Sequence, residues 1–377
     1  MKKILLGTTG LVGAALLASV ASAETPKVTL GGFSDFQAGY VDQDNEAATD
    51  ARDFSFRNDN EISVHVDGKT DGGLGYGAVI DLEADINDDA DNQGEQAART
   101  FTYLESGWGR AEMGGNKSAA ATMRVDASSV AVATGGINGA WTYFASAAGD
   151  NFISTSKLPT EHGLTTAFGD ESTYNATKLT YYTPSWMGLQ GGVSYTPGID
   201  ADTASGRGQA PAVRDSDFAD IWDLGVSYNH TFDNTWKLGV AGTYETGNSD
   251  NYGAIGDVNA WNVGAVLGFG GFSLAGSYGD WADSGLAAAT GDEGDYWTAG
   301  LGYEAGPVGL SATYIDSTLE ATGADSEFNN LVFGADYKLA PGLTPYAEVS
   351  MFEADGSGTA ATDNEGTVVI LGTQIAF

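Results

Sequence analysis

FNNLVFGADYKL, residues 328–339, alternates its side chains with a period of two. Leu331, Phe333, Ala335, Tyr337 and Leu339 fall on one side, and Asn330, Gly334, Asp336 and Lys338 on the other. Successive side chains of an extended chain point to opposite faces, so this is a strand between two different surroundings. The pattern recurs. In IWDLGVSYNHTF (221–232), Trp222, Leu224, Val226 and Tyr228 alternate with Asp223, Gly225, Ser227 and Asn229. In WKLGVAGTYE (236–245), Trp236, Leu238, Val240 and Tyr244 alternate with Lys237, Gly239, Thr243 and Glu245. The final segment, TVVILGTQIAF (367–377), puts Val369, Leu371, Ile375 and Phe377 on one face. No segment of comparable length carries a helical period.

The breaks between strands come in two kinds. Short turns occur at 68–73, 107–110, 185–188, 233–235, 270–271, 305–307 and 340–343. Longer polar segments occur near 42–53, 87–98, 117–174, 198–220, 247–260, 282–294, 321–326 and 355–365. Seven short turns alternating with eight long loops require sixteen strands. A soluble sandwich has no reason to gather its long loops at one end. An outer-membrane barrel has that asymmetry, with short periplasmic turns, long external loops and both termini on the periplasmic side. The expected fold is therefore all-β: a sixteen-stranded antiparallel transmembrane β-barrel. Trp108, Trp186, Trp222, Trp236, Trp261, Trp281, Trp297, Tyr40, Tyr195 and Phe377 stand at strand ends, where aromatic girdles meet the two bilayer interfaces. Glycine, 54 of 377 residues, recurs inside strands, where it permits close packing.

Composition narrows the function. The 51 Asp and Glu outnumber the 16 Lys and Arg, a formal net charge of −35. No basic footprint exists for nucleic acid. The chain has no Cys, so neither a disulfide nor a Cys-based zinc site can form. Residues 1–23, MKKILLGTTGLVGAALLASVASA, read as a secretory signal peptide: two Lys, an apolar core and an Ala21-Ser22-Ala23 cleavage site. The mature barrel domain would be 24–377, exported and carrying a net −37, with 14 basic against 51 acidic residues. The seven long segments other than 117–174 hold 23 acidic residues and only three basic ones, Arg52, Arg207 and Arg214.

These counts leave enzymes without support. His65, His162 and His230 lack metal-ligand spacing, and no GxSxG, Walker or HExxH pattern occurs. The acidic run 85–95 offers Asp85, Asp88, Asp89 and Asp91 as weak calcium ligands. It is not an EF-hand, because positions six and twelve are Ala90 and Gln96 where that loop needs Gly and Glu. No cofactor is expected beyond Ca²⁺ held by acidic loops.

Three stretches resemble Gram-negative general diffusion porins of the alphaproteobacterial kind: RTFTYLESGWGRAEMGGN (99–116), YNATKLTYYTPSWMGLQGGVSYTP (174–197) and a last strand ending on Phe377. The resemblance implies a homotrimer in outer-membrane lipid and lipopolysaccharide, each barrel with its own water-filled pore for small hydrophilic solutes and ions. It implies that the third loop, 117–174, folds inward as a constriction, and that Phe377 is read by the barrel assembly machinery. It also implies acids on that loop facing a basic wall. Charge on a lipid face is costly, so charged strand faces should look inward. Strand parity then offers Arg57, Arg99 and Lys178 for the basic side of the constriction, with Arg124 on the loop, and Asp81, Glu83 and Asp126 for the acidic side. The functional expectation is an outer-membrane porin for passive diffusion, preferring cations. Two other readings stay open: an exported calcium-binding β-rich adhesin or surface protein, and a substrate-specific channel on the same barrel.

Overall fold

The computed structural model describes residues 24–44, 52–84, 97–145, 176–198, 218–233, 235–249, 256–284, 293–320, 325–355 and 363–377. Residues 1–23, expected as a signal peptide, the calcium candidates Asp85, Asp88, Asp89 and Asp91, and loop residues 146–175 lie outside them.

The described chain is sixteen antiparallel strands: β1 (Glu24–Gln43), β2 (Phe54–Lys69), β3 (Gly75–Glu83), β4 (Ala97–Ser106), β5 (Gly109–Gly115), β6 (Thr177–Tyr182), β7 (Leu189–Gly198), β8 (Phe218–Phe232), β9 (Trp236–Ser249), β10 (Val258–Phe269), β11 (Phe272–Ala282), β12 (Glu293–Ala305), β13 (Val308–Glu320), β14 (Ser326–Tyr337), β15 (Leu343–Asp355) and β16 (Asn364–Ala376). Each pairs with its sequence neighbours, and β1 pairs with β16, so the sheet closes into a barrel. At the seam Gly32 and Phe377 exchange two backbone hydrogen bonds of 3.1 Å. Every odd-to-even connection is long and every even-to-odd connection is a tight turn, as the sequence breaks require.

The polarity of the two barrel faces decides between membrane and water. Leu224, Val226, Val263, Leu274, Leu301, Phe333 and Leu371 stand exposed on the outer face. Asp223, Thr243, Glu245, Asn262, Ser311, Asn330 and Glu348 are buried on the inner one. A soluble sheet does the reverse, whereas a barrel in lipid turns its apolar face outward. Outward aromatics pair across strands in two belts. At the long-loop end are Tyr195–Trp222, Trp261–Tyr278 and Trp297–Tyr314, with ring centroids 4.8, 5.5 and 5.1 Å apart. At the turn end are Trp236–Phe269 and Phe272–Tyr303, at 4.3 and 4.5 Å. Along β9, Trp236 and Tyr244 are eight residues apart, about 26 Å at ~3.3 Å per residue. A tilt of about 40° shortens this to ~20 Å, near the ~25 Å apolar band of such barrels. Trp281 departs from the girdle expectation. It has the inward parity of β11, is 5% exposed and stacks on Tyr296 at 5.5 Å, so its place at a strand end was a misleading sign.

The chain after β5 runs along the inside of the wall: helix α1 (Ala119–Met123), then 3₁₀ turns at Ala127–Val130, Gly136–Asn138 and Ala140–Tyr143. Inward glycines make room for it. A Cβ on Gly264 would sit 1.8 Å from the Val125 carbonyl oxygen, and one on Gly300 would sit 2.9 Å from that of Ala127. Further along, Trp141 is fully buried between Phe328 and Phe352, with centroids 5.9 and 6.0 Å away, over Val332, Val368 and Ile370.

Gly264→Val should push residues 124–126 off the wall and cost about 1–3 kcal/mol, as overpacking does. The measurement is the urea midpoint of the barrel refolded in detergent. Gly242→Val is the control: it faces outward and its added carbon meets nothing nearer than 3.9 Å. Its change should stay within about 0.5 kcal/mol.

Candidate functional site

A chain lying against a wall brings backbone N–H groups that need acceptors. The wall supplies them from side chains. Ala119 N–H donates to Ser194 Oγ on β7 at 2.7 Å, and Ala127 N–H to Thr298 Oγ1 on β12 at 3.0 Å. On β13, Ser311 Oγ accepts from Val132 N–H and Thr313 Oγ1 from Ile137 N–H, both at 3.1 Å. Glu348 on β15 accepts from Thr134 N–H at 3.1 Å, from the Thr134 hydroxyl, and from Gly136 N–H at 3.5 Å. The inward hydroxyls of β7 to β15 thus serve as a docking strip as well as a polar lining. Within the loop, Ser118 caps α1, and Asp126 caps the next turn through Ser128 N–H at 2.8 Å.

From α1 over β7–β9 the described part of the loop crosses to β13 and β14 and brings Phe144 beside Gly39 of β1. The described part of the loop packs chiefly on the later strands and reaches the inner faces of β2 to β5 through Tyr143 on Arg57. Three arginines stand there, each with a carboxylate. Arg57 lies 3.0 Å from Asp59. Arg99 lies 2.5 Å from Asp81, which has no exposed surface. Arg110 lies 3.0 Å from Glu105 and 2.6 Å from Glu112. Glu61 hydrogen-bonds Ser63 at 3.1 Å. The Arg57 guanidinium also packs on the Tyr143 ring of the loop, 3.8 Å from its centroid.

The residues singled out from sequence fall into three places. Arg57, Arg99, Asp81 and Glu83 lie on the β2–β4 wall, with Asp81 beside Arg99 on the neighbouring strand rather than across the lumen. Arg124 and Asp126 pair with each other at 2.9 Å inside the docked loop and are both buried. Lys178 is buried at the root of the loop, its ammonium donating to the carbonyls of Asn116 and, at 2.7 Å, Ala176. Phe377 sits exposed beside the barrel seam. Sequence reasoning missed Arg110, Glu105, Glu112, Asp35 and Tyr143. The i, i+2 spacing of Arg110 and Glu112 puts both on one strand face and was the signal available for that pair. Nothing local marked Tyr143, which is brought in by the loop's course.

The description Gram-negative porin belongs to a family whose model matches residues 8–357. The chain is a member of that family. A protein of Rickettsia felis is 26% identical over 453 residues, covering all of both chains. Among solved structures, an anion-selective porin from Comamonas acidovorans is 17% identical with a TM-score of 0.60, over 94% of this chain and 100% of the other. A loop-deletion mutant of OmpT, an outer membrane protein of Vibrio cholerae, is 12% identical with a TM-score of 0.59, over 94% and 100%. At these identities the likeness is one of fold. This porin is thus an outer-membrane channel protein and not an enzyme. Among the described residues no group of three or more His, Cys, Asp or Glu is placed to hold a metal ion.

Arg99→Gln should leave the Asp81 carboxylate buried without its nearest charge. The expected cost is about 1–3 kcal/mol, read from the urea midpoint of the refolded porin. The double variant Arg99→Leu with Asp81→Leu should recover most of it, because removing both partners leaves no buried charge.

Proposed function

We propose that this porin is a passive, water-filled channel for small hydrophilic solutes and ions that prefers cations. The observation that carries the reading is the charge carried by the β1–β5 wall. Those strands carry ten Asp and Glu, among them Asp35, Asp59, Glu61, Asp81, Glu83, Glu105 and Glu112, against Lys27, Arg57, Lys69, Arg99 and Arg110. Each arginine is already matched by a carboxylate, so the surplus is acidic. The loop segments support the same sign, with 23 acidic residues against three basic ones. Such a rim concentrates cations and repels anions. The fold itself leaves the sign open, since one protein that shares it is described as anion-selective. The sign therefore rests on this chain's own charges.

The rest of the proposal follows the family. The exported chain loses residues 1–23 and residues 24–377 form the barrel, with 117–174 as constriction loop. Phe377 serves its assembly by the outer-membrane machinery, and three copies associate in a leaflet of lipid and lipopolysaccharide. Arg57, Arg99, Asp81 and Glu83 act at the constriction from the wall. Arg124, Asp126 and Lys178 act by holding the loop in place. No cofactor enters the reading, and calcium at Asp85, Asp88, Asp89 and Asp91 is outside it.

The test is reconstitution into a planar bilayer. Stepwise conductance is expected, and its absence would sink the channel. Under a tenfold potassium chloride gradient the reversal potential should favour cations. That preference should shrink toward 1 M salt, as the screening length falls from about 10 Å at 0.1 M to about 3 Å. A reversal potential favouring anions would overturn the proposed sign.

A further inference from the structure

The Arg57 guanidinium lies in surroundings that would suit a free ligand. Its Nη1 is 3.0 Å from Asp59 Oδ2 and 3.5 Å from Gln37 Oε1, and its carbon is 3.8 Å from the Tyr143 ring centroid. Carboxylate, amide oxygen and aromatic face together make a complete recognition set for a flat organic cation. The set opens onto a cavity of about 750 Å³ between the docked loop and the wall, whose lining includes Asp35, Gln37, Asp59, Tyr143, Asp336 and Tyr346. That volume falls in the range of small-molecule sites, roughly 300–1,000 Å³.

Asp35 and Asp336 add carboxylates to the lining of this cavity. Asp35 is 6% exposed and accepts from the Tyr346 hydroxyl at 2.8 Å on both oxygens and from the Gln37 amide at 3.3 Å. It makes no ion pair among the described residues. Lys338 lies on the rim, but its ammonium reaches toward Glu304 at 3.7 Å. Tyr143 is 66% exposed although it belongs to the docked loop, so its ring remains open to solute.

We propose that this cavity is a binding site for small organic cations bearing a guanidinium or an alkylammonium group, and that Arg57 occupies it as a tethered ligand. A solute of that class crossing the channel competes with Arg57 for Asp59 and the Tyr143 face, while Asp35 supplies the carboxylate that Arg57 leaves over. The site gives the channel a chemical preference beyond charge sign. Potassium is drawn by the carboxylates alone, whereas a guanidinium also stacks on the ring. The inference rests on the channel reading above and narrows its solute class.

Arg57→Gln vacates the site, so the test is inhibition of potassium current by guanidinium chloride in bilayers. In the Arg57→Gln channel guanidinium should inhibit at about fivefold lower concentration than in the wild type, and adding Tyr143→Leu should erase most of that gain. Caesium, of like charge but with no planar face, should show no such gain. Equal inhibition of wild type and Arg57→Gln would overturn the site while stepwise potassium conductance left the channel standing. An identical gain for caesium would also overturn it, since removal of a positive charge would then suffice. Guanidinium titrated into detergent-folded Arg57→Gln by calorimetry gives a readout without conductance. Binding that vanishes with Tyr143→Leu supports the site, and binding indifferent to Tyr143 overturns it.

Discussion

Inside a bilayer no water is available to an unpaired backbone amide, and each one left open costs several kcal/mol. Closure of β1 on β16 is the answer this chain gives, and the other features hang on it. A closed sheet has an inside and an outside, so every strand must be two-faced. That is why the alternation runs through the whole chain rather than through a few strands. Closure also fixes where the ends must meet. Gly32 and Phe377 extend the ladder, so Phe377 is a structural member of the barrel.

The enclosed space then creates a second demand, because the loop after β5 enters it with an unpaired backbone. Its amides are met by Ser194, Thr298, Ser311, Thr313 and Glu348, spread over β7 to β15. Glycines between them let carbonyls approach the wall at distances a Cβ would forbid. Trp141 anchors the far end in an apolar seat. Hydroxyl, glycine and aromatic seat are one device, and each strand contributes a single inward residue or two. A polar residue on an inner face is therefore ambiguous: Ser311 binds backbone, while Arg99 faces the lumen.

This ambiguity explains what the sequence disclosed and what it withheld. The strand count, the turn–loop alternation and the outward residues were legible, because each depends on neighbours within a few positions. Trp222, Trp236 and Trp261 were placed well by proximity to a strand end. Trp281 was not, because parity, the stronger rule, turns it inward. The run Val368-Val369-Ile370-Leu371 reads as lipid-facing on one side only, yet its other side is also apolar, since Val368 and Ile370 lie in the same buried cluster as Trp141. No local pattern reports a contact 227 residues away in sequence. Lys178 and Asp126 had the right chemistry for a lumen, but loop docking covers them, and docking is a property of the three-dimensional path.

The same logic bears on the wall charges. Opposed walls of single sign would give a strong transverse field, but would leave buried charges such as Asp81 without compensation. Here compensation is local: Arg99 answers Asp81, and Arg110 answers Glu105 and Glu112, each along or beside its own strand. Local pairing shortens the reach of the field, because the two charges of a pair cancel at distances beyond their separation. What a solute senses at longer range is the residue of that cancellation, to which Asp35 and Glu61 contribute as carboxylates outside any close ion pair among the described residues. Arg57 is the arginine that the docked loop reaches through Tyr143. It divides its contacts between Asp59, Gln37 and a ring borne by the loop. The same carboxylate, amide oxygen and ring are the contacts that a flat cation in transit would compete for.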